Sequence, residues 1–220
     1  MDLIIFGAGG FGKELYDLST RINKTNNFWE DIYFTEDNPI TSRITSLEIK
    51  IIDFDVIKNN YDPKKFEIII ALGEPNLRKT IYKRLKDLDF KFATIIDPTS
   101  IISPTASISE GVVIYPMSII ASSSHIGVNS VVNTHSTVGH DITIGSHTVI
   151  SSHVTIGGNS TLGNEVYIGL GAQTKEKLSI GDGSIIGMGS ILFRDLDKNI
   201  IAMGNPARPM KRNNYKKVFK

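Results

Sequence analysis

The sequence has no cysteine, which excludes a disulfide framework, thiolate metal ligands and a cysteine nucleophile. Any chemistry has to come from oxygen or imidazole. A surplus of charge is missing too: 24 Lys+Arg against 23 Asp+Glu leave +1, so nothing global proposes nucleic acid or an anionic membrane as the main partner. No apolar run approaches the ~20 residues of a membrane span. The apolar start Leu3-Ile4-Ile5-Phe6 runs into glycines and reads as a short strand rather than a signal peptide. These absences predict a cytoplasmic protein without a membrane span, and 220 residues allow one large domain or two modest ones.

What charge there is lies unevenly. From residue 208 onward the chain carries Arg208, Lys211, Arg212, Lys216, Lys217 and Lys220 with no acid, which leaves −5 for residues 1–207. Such a basic tail is either a solvated end or a partner for a phosphorylated ligand.

A period of six dominates residues 96–195. Stepping by six from Ile96 to Leu192 meets an aliphatic residue at sixteen of seventeen positions, the exception being Thr174. Four places after each step small or β-branched residues recur, as in Ser118, Ser124, Ser130 and Ser136. One place after it glycine recurs, as in Gly127, Gly139, Gly145 and Gly157. Six fits neither a helix nor a hairpin, but it fits a prism whose flat faces each take one short strand and one turn, three hexads to an 18-residue coil. The aliphatic residue then points into the axis. Glycine takes the corner, where a positive φ or a tight approach is expected. Thr174, within Gln173-Thr174-Lys175-Glu176-Lys177, reads as an excursion from the coil.

The first 92 residues differ in kind. Asp2 to Phe6 reads as a buried strand, Gly7-Ala8-Gly9-Gly10-Phe11-Gly12 as a glycine turn and Lys13 to Ile22 as a helix. Further strands are expected at Asp31–Thr35 and Phe66–Leu72, and a helix at Pro75–Leu88. This is a small βαβ unit with a parallel sheet, Rossmann-like in kind. Glycines 7, 9 and 12 match G-x-G-x-x-G, whose backbone can approach a phosphate at a helix N-terminus; alternatively they only let helix and strand pack closely. Glu36 and Asp37 follow the second strand, where an acid can hold a ribose. Ninety residues hold one mononucleotide-sized half, which suits a nucleotide attached to a sugar better than a dinucleotide.

The hexads resemble the left-handed parallel β-helix of the hexapeptide acyltransferase superfamily. With Phe6-Gly7-Ala8-Gly9-Gly10-Phe11-Gly12, Ala71-Leu72-Gly73 with Arg78, Asn133-Thr134-His135-Ser136-Thr137-Val138-Gly139-His140-Asp141 and Gly204-Asn205-Pro206-Ala207-Arg208, the whole chain resembles the bacterial sugar acyltransferases of the sialic acid O-acetyltransferase and UDP-4-amino-sugar N-acetyltransferase type. That resemblance implies a mixed architecture. Residues 1–92 would be a Rossmann-like nucleotide-sugar-binding domain, 93–195 a left-handed β-helix acyltransferase domain and 196–220 a basic C-terminal tail.

The five histidines sort by their place in the hexad. His140 sits two places after Val138, at a corner where its side chain can leave the core, and Asp141 beside it offers a carboxylate to orient the ring. His135 and His153 are 18 apart and should stack one coil above the other. Stacked imidazoles raise the possibility of zinc, as in β-helical carbonic anhydrases, but two coils before His135 stands Thr99, so a third ligand is missing and no metal is expected. His125, His147 and His153 read as exposed corner residues.

The resemblance assigns His140 as general base with Asp141, Asn133 as a sugar contact, and Gly7, Gly9, Gly10, Gly12, Glu36 and Asp37 as the nucleotide-sugar pocket. Acetyl-CoA, the co-substrate, would meet Gly158, Leu170 and Met188, with Arg208 at its phosphates. A homotrimer is implied, with active sites at its interfaces. Some members carry a second histidine nine residues after the catalytic one; here that position is Val149. The expected activity is acetyl-CoA-dependent N-acetylation of a nucleotide-linked 4-amino-dideoxy sugar for surface glycan synthesis. The alternatives are O-acetylation of sialic acid or another sugar hydroxyl, and a non-catalytic nucleotide-sugar-binding scaffold.

Overall fold

The computed structural model describes residues 1–37, 49, 51–60, 62 and 65–219. Two units emerge, one of Met1–Gly73 with Thr80–Thr94 and one of Glu74–Lys79 with Ile95–Lys220.

The first unit holds β1 (Asp2–Phe6), α1 (Gly10–Asn26), β2 (Ile32–Glu36), β3 (Ile51–Asp53), α2 (Phe54–Asn60), β4 (Phe66–Ile70), most of α3 (Pro75–Asp87) and β5 (Lys91–Phe92). Its sheet runs β3-β2-β1-β4-β5, every pair parallel. Helix α1 buries Leu15, Leu18, Ser19 and Ile22, the three- and four-residue spacing of one helical face. It runs one turn past the expected end and stops where Asn27 turns left-handed at φ 48°, its N–H bonded to the Asn23 carbonyl. Three elements, β3, α2 and the two-residue β5, have no counterpart among the expected ones. A three-residue strand and a two-turn helix span too few periods to show one.

The second unit contains seventeen two-residue strands, from Ile95–Ile96 to Ile191–Leu192. They stack in three parallel sheets whose partners lie 18 residues apart, as Thr137 with Thr155 and Val131 with Val149. The axis is filled by the hexad aliphatics, among them Ile114, Ile120, Ile126, Val132, Val138, Ile144 and Ile168, all buried. Each contributes roughly 1.5–3 kcal/mol over an exposed side chain. Serines and threonines four places on are buried too, and stitch the coils. Ser136 Oγ donates to the Ser151 carbonyl at 2.8 Å and accepts the Val154 N–H at 3.2 Å, and Ser124, Ser130 and Thr148 repeat the pattern.

Three expectations are corrected. Gln173-Thr174 is a regular strand between Thr155-Ile156 and Ile191-Leu192, so there is no excursion. Thr174 takes the axis position and its hydroxyl accepts the Gly157 N–H, which satisfies the polar atom indoors. Second, positive φ falls two places after the corner position, whether or not that position is glycine: at Asn129, Asp141 and His147 after Gly127, Gly139 and Gly145, and at His135 and His153 after Asn133 and Ser151 (φ 53° to 60°). The corner glycines serve the tight approach: a Cβ at Gly145 would stand 2.5 Å from the backbone of Gly163. Third, the stretch expected as a tail continues the stack. Ile200–Gly204 pairs in parallel with Ile185–Ile186, and Ala207–Arg212 folds back antiparallel on it. No helix among the described residues is long and apolar enough to cross a membrane.

Candidate active site

The 18-residue coil places residues that are distant in sequence on shared corners. His140 and Gly158 occupy one corner column, Leu170 and Met188 a second, and Ser146, Asn164 and Asp182 a third. At the first corner the His140 side chain is 60% exposed, and its Nδ1 lies 2.7 Å from Asp141 Oδ2. A carboxylate only accepts, so Nδ1 carries the proton of the neutral ring and Nε2 presents a lone pair. Asp141 reaches the ring because its backbone is left-handed, φ 54°, which turns the carboxylate back along the corner.

Gly158 lies directly under that ring. A Cβ there would stand 2.7 Å from His140 Nε2 and 2.9 Å from Cε1, so any side chain at 158 would displace the imidazole. The coil holds the pair in register through the Asn159 N–H, which donates to the His140 carbonyl at 2.9 Å. Three of the residues expected to act together, His140, Asp141 and Gly158, are thus brought together.

Asn133 stands at the preceding corner, and its Oδ1 accepts the Thr134 N–H at 2.8 Å. Leu170 and Met188 are half or more exposed and stack on successive coils, with the Gly189 N–H donating to the Leu170 carbonyl. Arg208 is exposed on the terminal hairpin, opposite Met203. Val149 is buried in a face between Val131 and Tyr167, so it adds no polar group to the His140 corner. His135 and His153 stack as expected, ring centres 5.0 Å apart and 4° from parallel. Among the described residues no three His, Asp or Glu side chains gather as metal ligands.

His147 departs from the expectation of an exposed corner. It is 9% exposed, and its Nδ1 lies 3.0 Å from Asn129 Nδ2. Asn129 in turn accepts from Arg78: Nε to the carbonyl at 2.9 Å and Nη2 to Oδ1 at 2.6 Å. Arg78 is fully buried, and burial pulls its guanidinium down to about 9, partly opposed by Tyr115. It stays cationic at neutral pH. No periodicity connects residues 51 positions apart, which is why this network was invisible in sequence.

In the first unit the glycine turn divides its labour. Gly12 serves packing, since a Cβ there would meet the Gly7 carbonyl oxygen at 2.0 Å. Gly7 has φ +112° and donates its N–H to the Thr35 carbonyl. Gly9 and Gly10 are exposed, and a Cβ at either would meet nothing within 4 Å, which leaves their backbone open at the N-terminus of α1. Glu36 reaches this turn, its Oε1 accepting the Ala8 N–H at 2.8 Å. Asp37 instead pairs with Arg84 at 2.9 Å, beside a cavity of about 350 Å³ that also involves Phe54, Asp55 and Lys58. Arg84 was missed in sequence because a lysine- and arginine-rich helix ordinarily faces water; here its guanidinium lies 4.5 Å from the Phe54 ring centre.

Residues 2–85 match the family model of the PglD N-terminal domain. Beyond it, the likeness to solved structures runs over nearly the whole chain. The acetyltransferase domain of PglB from Neisseria gonorrhoeae FA1090 is 28% identical, with a TM-score of 0.88 over 95% of this chain and 99% of that one; the same domain is also solved in complex with acetyl coenzyme A. WeeI from Acinetobacter baumannii AYE is 24% identical, with a TM-score of 0.87 over 96% of this chain and 100% of that one. PerB from Caulobacter crescentus, solved with CoA and GDP-perosamine, is 23% identical, with a TM-score of 0.86 over 96% and 98%. These two show likeness of fold. A small α/β unit that matches the PglD N-terminal model, followed by a stack of parallel coils like a left-handed β-helix, is consistent with the PglD-like sugar acetyltransferases.

Proposed function

We propose that this chain is an acyltransferase that moves the acetyl group of acetyl-CoA to the amino nitrogen of a nucleotide-linked 4-amino-dideoxy sugar, for surface glycan synthesis. The observation that carries this reading is the His140–Asp141 pair, with Nε2 of the ring over Gly158. Its likeness to a PglB domain solved with acetyl coenzyme A supports the co-substrate. In this reading Nε2 takes a proton from the sugar amine as the nitrogen attacks the thioester carbonyl carbon. A backbone N–H near Gly158 stabilises the oxyanion. The C–S bond then breaks, and the thiolate leaves as CoA-SH with the proton that His140 carried. Asp141 holds the ring and stabilises its charged form.

The two units divide the task. Residues 1–92 hold the nucleotide sugar through Gly7, Gly9, Gly10, Gly12, Glu36 and Asp37, while 93–195 carry the transfer. Asn133 orients the sugar; Leu170, Met188 and Arg208 receive acetyl-CoA, Arg208 through its phosphates. No resident metal is involved. The working form is a homotrimer in the cytoplasm. Exposed apolar side chains in two groups along one corner, Ile101, Met117 and Ile119 on the early coils and Leu170 and Met188 on the later ones, support such association.

The test is thiol release from acetyl-CoA over UDP-, dTDP- and GDP-linked 4-amino sugars, with free and CMP-linked sialic acid alongside. Turnover on an amino sugar, with one acetyl added by mass, is expected. Turnover only on sialic acids makes the enzyme an O-acetyltransferase. No turnover and no acetyl-CoA binding makes the chain a nucleotide-sugar-binding scaffold.

A further inference from the structure

The third corner column ends, at the C-terminal end of the β-helix, in a cavity of about 680 Å³, large enough for a small ligand. Its cations are Lys198, Arg212 and Lys216, its one acid is Asp197, and Asn199 and Asn214 add neutral amides. Among the described residues none of the three cations stands in an ion pair. The wall that carries them is fixed. Buried Asn213 donates its N–H to the Asn199 carbonyl at 2.7 Å and Nδ2 to the Gly183 carbonyl at 3.0 Å, and its Oδ1 accepts the Lys217 N–H at 3.1 Å. The cavity is on a different corner from His140 and Gly158, and different again from Leu170 and Met188. Asp182 on its column lies two coils beyond the Ser146 corner that follows His140, roughly 10 Å along the axis at strand spacing.

A concave site with three cations, one acid and amide donors on a rigid wall matches a phosphate, which arginine grips bidentately and lysines meet as point charges. We propose that this cavity binds a phosphate group, carried by a free metabolite or by a lipid headgroup, at a site separate from the acetyl transfer. The site stands whether or not the transfer reaction does.

The test is calorimetric titration of the full chain with inorganic pyrophosphate at ~50 mM salt, where screening of partly exposed charges is modest. One pyrophosphate per chain is expected. Affinity should fall at least tenfold in Lys198→Ala/Arg212→Ala and stay unchanged in Lys24→Ala, which removes an exposed lysine of α1. Saturating acetyl-CoA should leave pyrophosphate binding in place, and so should His140→Ala. Displacement by acetyl-CoA, or equal binding by the double variant at unchanged Tm, overturns the proposal. If pyrophosphate does not bind, vesicles of phosphatidylglycerol are offered instead. Pelleting with them that is lost in the double variant identifies a headgroup as the source, and failure of both probes overturns the site.

Discussion

The imidazole of His140 rests on the backbone of Gly158, one coil later, with Nε2 2.7 Å from where a Cβ at 158 would be. Glycine there is a condition of the ring's position, and that ring is the proposed base.

Replacing that glycine therefore tests placement apart from chemistry. Gly158→Ala should lower kcat about 10- to 100-fold, the scale of a misplacement near 1 Å. The nearest atoms are those of one exposed ring, so Tm should change little. A steady-state assay beside a thermal melt checks this; full activity would show that the ring's position does not matter.

His140→Ala should cost at least ~10² in turnover with the fold intact, since general base catalysis is worth about 10²–10⁴. Unchanged turnover, measured by thiol release, would remove His140 from the reaction.

Asp141→Asn separates the carboxylate's charge from its backbone. Asparagine tolerates the left-handed φ of 54°, whereas alanine would add roughly 1–2 kcal/mol of strain. Asn should therefore melt near the parent while kcat falls on the order of tenfold or more, and Ala should lose stability as well. Equal kcat in parent and Asn would deny the carboxylate its orienting role.

The coil-stitching serines predict a stability effect far from any chemistry. Ser136→Ala leaves the Ser151 carbonyl and the Val154 N–H each without this buried partner. Urea denaturation should show a loss of about 1–3 kcal/mol.

Arg78 and Asn129 should behave as one unit. Arg78→Met strands the Asn129 carbonyl and Oδ1 in a buried place and should cost about 2–4 kcal/mol. Asn129→Gly keeps the positive φ of 53° and removes the amide. In a double-mutant cycle the two losses should sum to more than the double variant loses, and strict additivity would deny the coupling.

The amino-acid order by itself determined the β-helix, because a six-residue period can bury its aliphatic stripe only by stacking on itself. Ile120, Val138 and Ile156 announce their partners at a spacing of 18. The same arithmetic put His135 on His153 and His140 at a corner beside Asp141. It misjudged Thr174, since a polar residue in an apolar column reads as a break until its hydroxyl is seen to find the Gly157 N–H. It also misjudged His147, which looks like its exposed neighbours by phase but is buried beside Asn129, the residue that holds Arg78. Only the tertiary structure decided the placement of Arg78 against Asn129, of Glu36 at the Ala8 N–H, and of three cations around one cavity. Those contacts join segments with no common period, and a period is the one long-range signal that a single sequence carries; the rest is settled by which polar groups are left to find partners when the chain packs.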